Sequence, residues 1–333
     1  MAKEVTPEQI AQIDEMVARA HTALDIIATY DQQRVDRLCQ AVAAAVCDMK
    51  VWAPICDEAV DETSLGDKVT KRNKRNKIKL ILRDCLRQPS VGIIEENPAK
   101  GLVKYAKPAG VIASLVPTTN PCLTPAGQIV YAIKARDVMI CSPHPRAKVV
   151  TNKIIDIIRA TLVREGAPAD IIQGIKDPSI NLTKVLMERC DLVIATGGRP
   201  MVKSAYSSGT PAYGSGAGNA TVIIDDTCNT PERQKEAAEN TRISKTSDFG
   251  SGCSCDGNLV IHESIYDDFV KALVAEGAYL ANEEEAEKLK KVMWDETGHR
   301  LPNTVAISPQ KLALAAGFEI PEDRKFIAVT GGG

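Results

Sequence analysis

The sequence predicts an α/β fold in which short parallel strands are covered by helices on both faces. Two observations predict it. Between Gly110 and Ala195, four apolar runs of strand length alternate with helix-length patterns. The runs are continuous rather than alternating, the signature of strands buried on both faces. A similar strand–helix alternation resumes after residue 220, so the chain reads as two α/β parts, 1–220 and 221–333.

Composition narrows the function classes. The chain has 333 residues, 44% hydrophobic and 25% charged, with a formal net charge of -2. Nucleic-acid proteins usually carry a basic face, which this balance and the few aromatics argue against. No apolar run reaches the roughly 20 residues of a membrane span. The N-terminal stretch MAKEVTPEQIAQIDE is acidic and amphipathic, unlike a secretory signal, so a cytosolic protein is expected. The ten cysteines are scattered, with no C-x-x-C pair. Only His21, His144, His262 and His299 could add imidazole ligands, and none has zinc-type spacing. A reducing compartment is expected, with no structural disulfide and no metal.

Residues 7–49 carry helical period. Ile10, Ile13, Met16, Val17 and Ala20 recur every three or four positions, after Thr6 as N-cap and Pro7 at the first helical position. Val35, Leu38, Val42, Ala45 and Val46 make a second helix. The basic run Lys68–Lys77 is expected to be a solvated helix face rather than a phosphate site. It leads into Ile78, Leu80, Ile81 and Leu86 on a further helix.

The strands of the first part are 110–116, 137–141, 171–175 and 191–195. Helices are expected at 123–134, 147–165, 179–189 and 199–207. Ligands of such sheets bind outside the carboxyl ends of the strands. Those ends run into Pro117-Thr118-Thr119-Asn120-Pro121, Ser142-Pro143-His144 and Thr196-Gly197-Gly198-Arg199-Pro200-Met201. The layout suits a dinucleotide without the G-x-G-x-x-G fingerprint. The helix start after Gly197-Gly198 is the phosphate candidate. A glycine-rich crossing, 208–219, then leads to strand 221–225, helix 230–246, strand 258–262 and helix 264–280.

Between helix 230–246 and strand 258–262 lies Lys245-Thr-Ser-Asp-Phe-Gly-Ser-Gly-Cys-Ser-Cys-Asp-Gly257. Its glycines let the backbone bend and approach a ligand, and no bulky neighbour shields the Cys253 sulfur. From the loop alone, a nucleophile and a small-residue loop with two thiols both remain open. The chain ends on Phe326–Gly333, a strand running into a glycine turn, so a piece of a longer chain is expected.

Taken together, VPTTNP (116–121), ICSPHPRAK (140–148), ATGGRPMVKSAYSSG (195–209), GSGAGN (214–219) and SKT-DFGSGC (244–253, interrupted at Ser247) resemble the CoA-acylating aldehyde dehydrogenases. That group includes the aldehyde dehydrogenase half of aldehyde-alcohol dehydrogenases and the acylating sulfoacetaldehyde enzymes. The resemblance runs from about residue 7 to the end, and family members continue well beyond it. It implies a Rossmann-type cofactor domain (1–220) followed by a partial catalytic domain (221–333).

The resemblance also implies roles. Cys253 is the nucleophile, with Cys255 a bystander. The Asn120 amide and the Cys253 backbone N–H donate to the oxyanion, each worth roughly 3–4 kcal/mol in well-studied hydrolases. NAD or NADP is held at Pro117, Thr118, Thr119, Asn120, Pro121, Ser142, Pro143, His144, Gly197, Gly198, Met201 and Gly218. Coenzyme A is the co-substrate, and the full-length form is a homo-oligomer. His144 is read as a wall residue, not a proton carrier. Hydrolytic relatives carry a glutamate base in the glycine-rich segment, but Tyr213–Asn219 has no carboxylate. Without that base water is a poor nucleophile, so the acyl group should pass to a thiol. The substrate is a short aldehyde, acetaldehyde-like or sulfoacetaldehyde; Arg199 would suit an anionic one, or a cofactor phosphate or solvent. Hydrolytic chemistry, a non-catalytic assembly subunit and a Cys253–Cys255 redox sensor are the alternatives.

Overall fold

The computed structural model describes Val5–Gly331, in two compact units. The first comprises residues up to Ser64 together with Arg72–Ala217; the second comprises Leu65–Lys71 and Gly218 onward. Expectations for Met1–Glu4 and for the turn at Gly332-Gly333 lie outside the described residues.

The first unit begins with helices Pro7–Ile27, Gln32–Cys47 and Met49–Thr63. Thr6 caps the first through a capping box with Gln9. Asp31 and Asp48 cap the next two, accepting from Arg34 N–H and Lys50 N–H. The expected stripes face inward: Ile13, Ala20, Val35, Leu38, Val42 and Val46 are all buried. The third helix was not expected from the sequence; Pro54 interrupts its pattern, yet the chain continues through it. Helix Arg75–Leu86 follows, then an antiparallel hairpin, β1 (Gly92–Asn97) and β2 (Leu102–Ala106), also unforeseen. Most of its residues are exposed, so it lacks the buried-strand signature.

Five parallel strands form the core sheet: β3 (Val111–Val116), β4 (Val138–Pro143), β5 (Ile172–Gly174), β6 (Leu192–Thr196) and β7 (Ala212–Ser215). Their order is β5-β4-β3-β6-β7. Every residue of β3 and β4 is buried, which explains their uninterrupted apolar runs. Helices Leu123–Ala135, Lys148–Arg164, Ile180–Arg189 and Arg199–Tyr206 connect the strands, as expected. The chain winds outward from β3 through β4 to β5, then reverses to β6 on the other side. That reversal is the doubly wound pattern, with its switch point between β3 and β6. β7 lies in the segment read as a glycine-rich crossing. Gly214 within it lets the helix pack closely: an added Cβ would come 2.6 Å from Val202 and 2.7 Å from Tyr206.

In the second unit β8 (Ala220–Ile224) pairs in parallel with β9 (Asp256–Ile261), across helix Pro231–Thr246. β10 (Ala278–Ala281) pairs in parallel with β11 (Phe326–Val329). The core holds Ile224, Ala238, Ile265, Phe269, Leu273 and Phe326. The expected helix 264–280 stops at Ala275. Gly277 adopts φ +102°, ending the helix and turning the chain into β10. The apolar residues of Ala278–Ala281 had disguised that strand as more helix. Among the described residues no single helix is long and apolar enough to cross a membrane.

Candidate active site

The Cys253 loop is shaped by unusual backbone. Asp248 (φ 52°, ψ 40°) and Phe249 (φ 49°, ψ 40°) are successive left-handed residues, followed by Gly250 at φ 67°. Two non-glycine residues in that region cost roughly 1–2 kcal/mol each, so neighbouring contacts must hold them. Asp248, fully buried, supplies those contacts. Its carboxylate accepts from Lys71 Nζ at 2.8 Å, from the Asp67 N–H at 2.8 Å and from the Ser251 hydroxyl. Its own N–H donates to Thr70 Oγ1 at 2.7 Å. Gly66 lets the segment approach, since an added Cβ would sit 1.8 Å from Asp248 Oδ1. The far end of the loop is tied as well: Ser244 Oγ donates to Asp256 Oδ1 at 2.7 Å and accepts from Asp256 N–H at 3.0 Å.

Between those ties Cys253 is exposed, alone among the cysteines in that respect. Cys255 is half-buried and its thiol donates to the Gly250 carbonyl at 3.3 Å. The core thiols differ chemically: burial pushes Cys39, Cys141 and Cys190 up to about 12. Gly218 belongs to this second unit, where an added Cβ would be 3.9 Å from the Cys253 carbonyl.

In the first unit, the parallel sheet brings the carboxyl ends of β3, β4 and β6 to one edge. Pro117–Pro121, Pro143-His144 and Gly197–Met201 therefore share that edge. Ser142 does not offer its hydroxyl there: it is buried and bonded to Thr183 Oγ1 at 2.7 Å. The His144 N–H donates to the Val116 carbonyl at 3.0 Å, and its Nδ1 accepts from Arg146 N–H at 3.1 Å. Gly198 caps helix Arg199–Tyr206 without a side chain; Pro200 brings no N–H, and the Met201 and Val202 N–H groups donate to the Gly198 carbonyl at 3.0 and 3.2 Å.

Asn120 lies on this edge with its side-chain oxygen engaged: Lys74 Nζ donates to Asn120 Oδ1 at 2.6 Å. This corrects the expectation for the basic run. Lys71 and Lys74 are both buried, although Asn73, Asn76 and Lys77 remain exposed. Neither lysine was singled out from the sequence, nor were Asp67 and Asp248. Buried lysines need partners, and these partners lie far away in the chain.

The aldehyde dehydrogenase family profile matches residues 3–292. The chain belongs to the aldehyde dehydrogenase family. A sulfoacetaldehyde dehydrogenase from Acholeplasma sp is 40% identical over 322 residues, covering 95% of this chain and 65% of that protein. The chain thus spans just under two thirds of that relative's length. An acetylating aldehyde dehydrogenase from Geobacillus thermoglucosidasius superposes with a TM-score of 0.90 at 32% identity, covering 98% of this chain and 72% of that one. A propionaldehyde dehydrogenase from Rhodopseudomonas palustris, solved with bound propionyl-CoA, gives a TM-score of 0.83 at 25% identity, covering 95% and 70%. The resemblance to the acylating branch and the α/β class both stand on these matches.

Proposed function

We propose that this aldehyde dehydrogenase oxidises a short aldehyde to its CoA thioester through Cys253. The observation that carries the reading is one exposed thiol in a held loop, with no carboxylate in the glycine-rich stretch before it. Cys253 sulfur adds to the aldehyde carbon, and the carbonyl oxygen becomes an oxyanion. The Asn120 amide and the Cys253 N–H are the donors assigned to that charge. A bound nicotinamide, NAD or NADP, supplies the hydride acceptor; Gly197, Gly198, Met201 and the 117–121 turn are the residues that would hold it. Loss of hydride leaves an acyl group in thioester linkage to Cys253. The CoA thiolate then attacks the acyl carbon, the bond to Cys253 breaks, and the enzyme thiolate returns.

Tyr213–Asn219 contains no acid that could deprotonate water. A thiol near its ordinary pKa of about 8.5 is already partly ionised and needs less help. The name of the acetylating Geobacillus relative, and the propionyl-CoA held by the Rhodopseudomonas one, support acyl transfer to CoA. The Acholeplasma relative favours sulfoacetaldehyde, or a similar anionic aldehyde, over acetaldehyde.

The test is a CoA-dependent assay of nicotinamide reduction, run with acetaldehyde and sulfoacetaldehyde against NAD and NADP. Cys253→Ala should abolish the signal, and omission of CoA should leave only slow turnover. Full activity in the alanine variant, or rapid carboxylate release without CoA, would sink the reading.

A further inference from the structure

Nothing between Thr246 and Asp256 is regular structure except a single tight turn, Ser247–Gly250. Such a loop ordinarily samples many conformations, and a nucleophile on it would be poorly aimed. Here the turn is over-determined. The Asp248 carboxylate is buried with three donors around it: an ammonium, a backbone N–H and a hydroxyl. Lys71 is 5% exposed at its side chain and Asp248 0%, so each charge depends on the other. The backbone N–H of Asp248 is satisfied by Thr70. Both left-handed residues, Asp248 and Phe249, lie inside this grip.

We propose that Asp248 is a positioning residue for the nucleophile, with Lys71 as its counter-ion. Together they lock the left-handed turn that sets where the chain emerges at Cys253. The inference rests on the reading of Cys253 as the nucleophile. Its physical logic is that a left-handed aspartate relaxes toward ordinary backbone unless its carboxylate is fixed. Relaxation at 248–249 redirects every residue up to the tie at Asp256. The side chain of Asp248 never touches substrate; it acts through the backbone. Serine or threonine at 248 would lack the charge, and asparagine keeps the shape and left-handed tolerance but leaves Lys71 uncompensated.

The experiment compares Asp248→Asn, Lys71→Met and Thr70→Val in the full chain. Three quantities are read: hydrogen exchange at amides 247–252, the iodoacetamide alkylation rate of Cys253, and kcat and KM for CoA-dependent aldehyde oxidation. Asp248→Asn and Lys71→Met should speed exchange across the turn by about tenfold or more, while β8–β9 amides stay protected. Alkylation of Cys253 should change at least about fivefold, and kcat should fall about 10–100-fold with KM nearly constant. Native turn exchange and native alkylation in these folded variants would overturn the proposal. If either charge variant fails to fold, Thr70→Val decides, because it takes no charge away: it removes only the hydroxyl that accepts from the Asp248 N–H and donates to the Asp67 carboxylate; it should loosen the turn in the same direction, and an unchanged turn would refute the inference. Exchange and alkylation need no turnover. They therefore judge the positioning role even if the wild-type chain oxidises no aldehyde, a result that would count only against the functional reading.

Discussion

Lys74 Nζ donates to Asn120 Oδ1 at 2.6 Å, and this contact fixes which way the amide faces. An ammonium has only donors, so it can meet the amide oxygen but never the amide nitrogen. The two Nδ2 donors are thereby turned away from Lys74, one toward Thr119 Oγ1 at 3.4 Å. The charge also draws electron density from the amide, making its N–H groups better donors.

On the proposed role of Asn120 as an oxyanion donor, Lys74→Met should lower kcat by about 10²–10³, the usual loss for one such donor. Asn120→Ala should cost a similar amount. The double variant should be little worse than Asn120→Ala alone, because Lys74 acts through that amide. Steady-state kinetics on the three variants check this; additive losses would show an independent role for Lys74.

Thiol reactivity should follow burial. A sub-stoichiometric thiol reagent at neutral pH should label Cys253 first, then Cys255, whose proton is engaged with Gly250. Cys39, Cys141 and Cys190, pushed up to about 12, should stay unlabelled until unfolding. Peptide mass spectrometry over time reads the order, and early labelling of Cys141 would contradict the core packing.

Gly66 and Gly298 form a matched pair for separating backbone cost from crowding. Both have positive φ, +82° and +79°, but an added Cβ meets Asp248 Oδ1 only at Gly66. Gly298→Ala should cost about 1 kcal/mol, the backbone share alone. Gly66→Ala should cost a further 1–3 kcal/mol, roughly, from overpacking. Urea unfolding of each variant gives the comparison.

Asp137 brings a pH dependence of its own. Burial lifts its carboxyl to about 6, with the N–H groups of Gly110 and Ala109 opposing only in part. The folded state then holds this proton more tightly than the unfolded chain does. Its contribution to stability is greatest below about 4, declines as pH rises to about 6, and stays level above. Asp137→Asn should remove this decline, so that the variant gains on the wild type by an amount on the order of 2 kcal/mol between those limits. Urea midpoints from pH 4.5 to 8 test the sign, and a gain that grows toward acid would refute it.

The buried parallel strands were readable because a continuous apolar run of strand length, closed at each end by turn residues, belongs almost only to a sheet covered on both faces. Val111–Val116 and Val138–Pro143 are buried at every position, and the segments after them carry the polar residues that a strand end exposes. The hairpin Gly92–Ala106 was not readable, because exposed strands carry no such run. The end of the helix at Ala275 depended on the left-handed Gly277, one glycine in an otherwise helical pattern. Cys253 and Asn120 stood out by residue type and motif. Lys71 and Lys74 did not, because a lysine in a basic run looks solvated until its partner is known. Those partners lie 177 and 46 positions away, beyond any local pattern.

Seven residues, Leu65–Lys71, count with the second unit although residues before and after them count with the first. The second unit is thus not a contiguous stretch of the gene. Cut free at residue 218, it would inherit Asp248 without the Lys71 ammonium, the Asp67 amide or the Thr70 hydroxyl. The piece would need a short peptide carrying 65–71 supplied in trans to regain its turn.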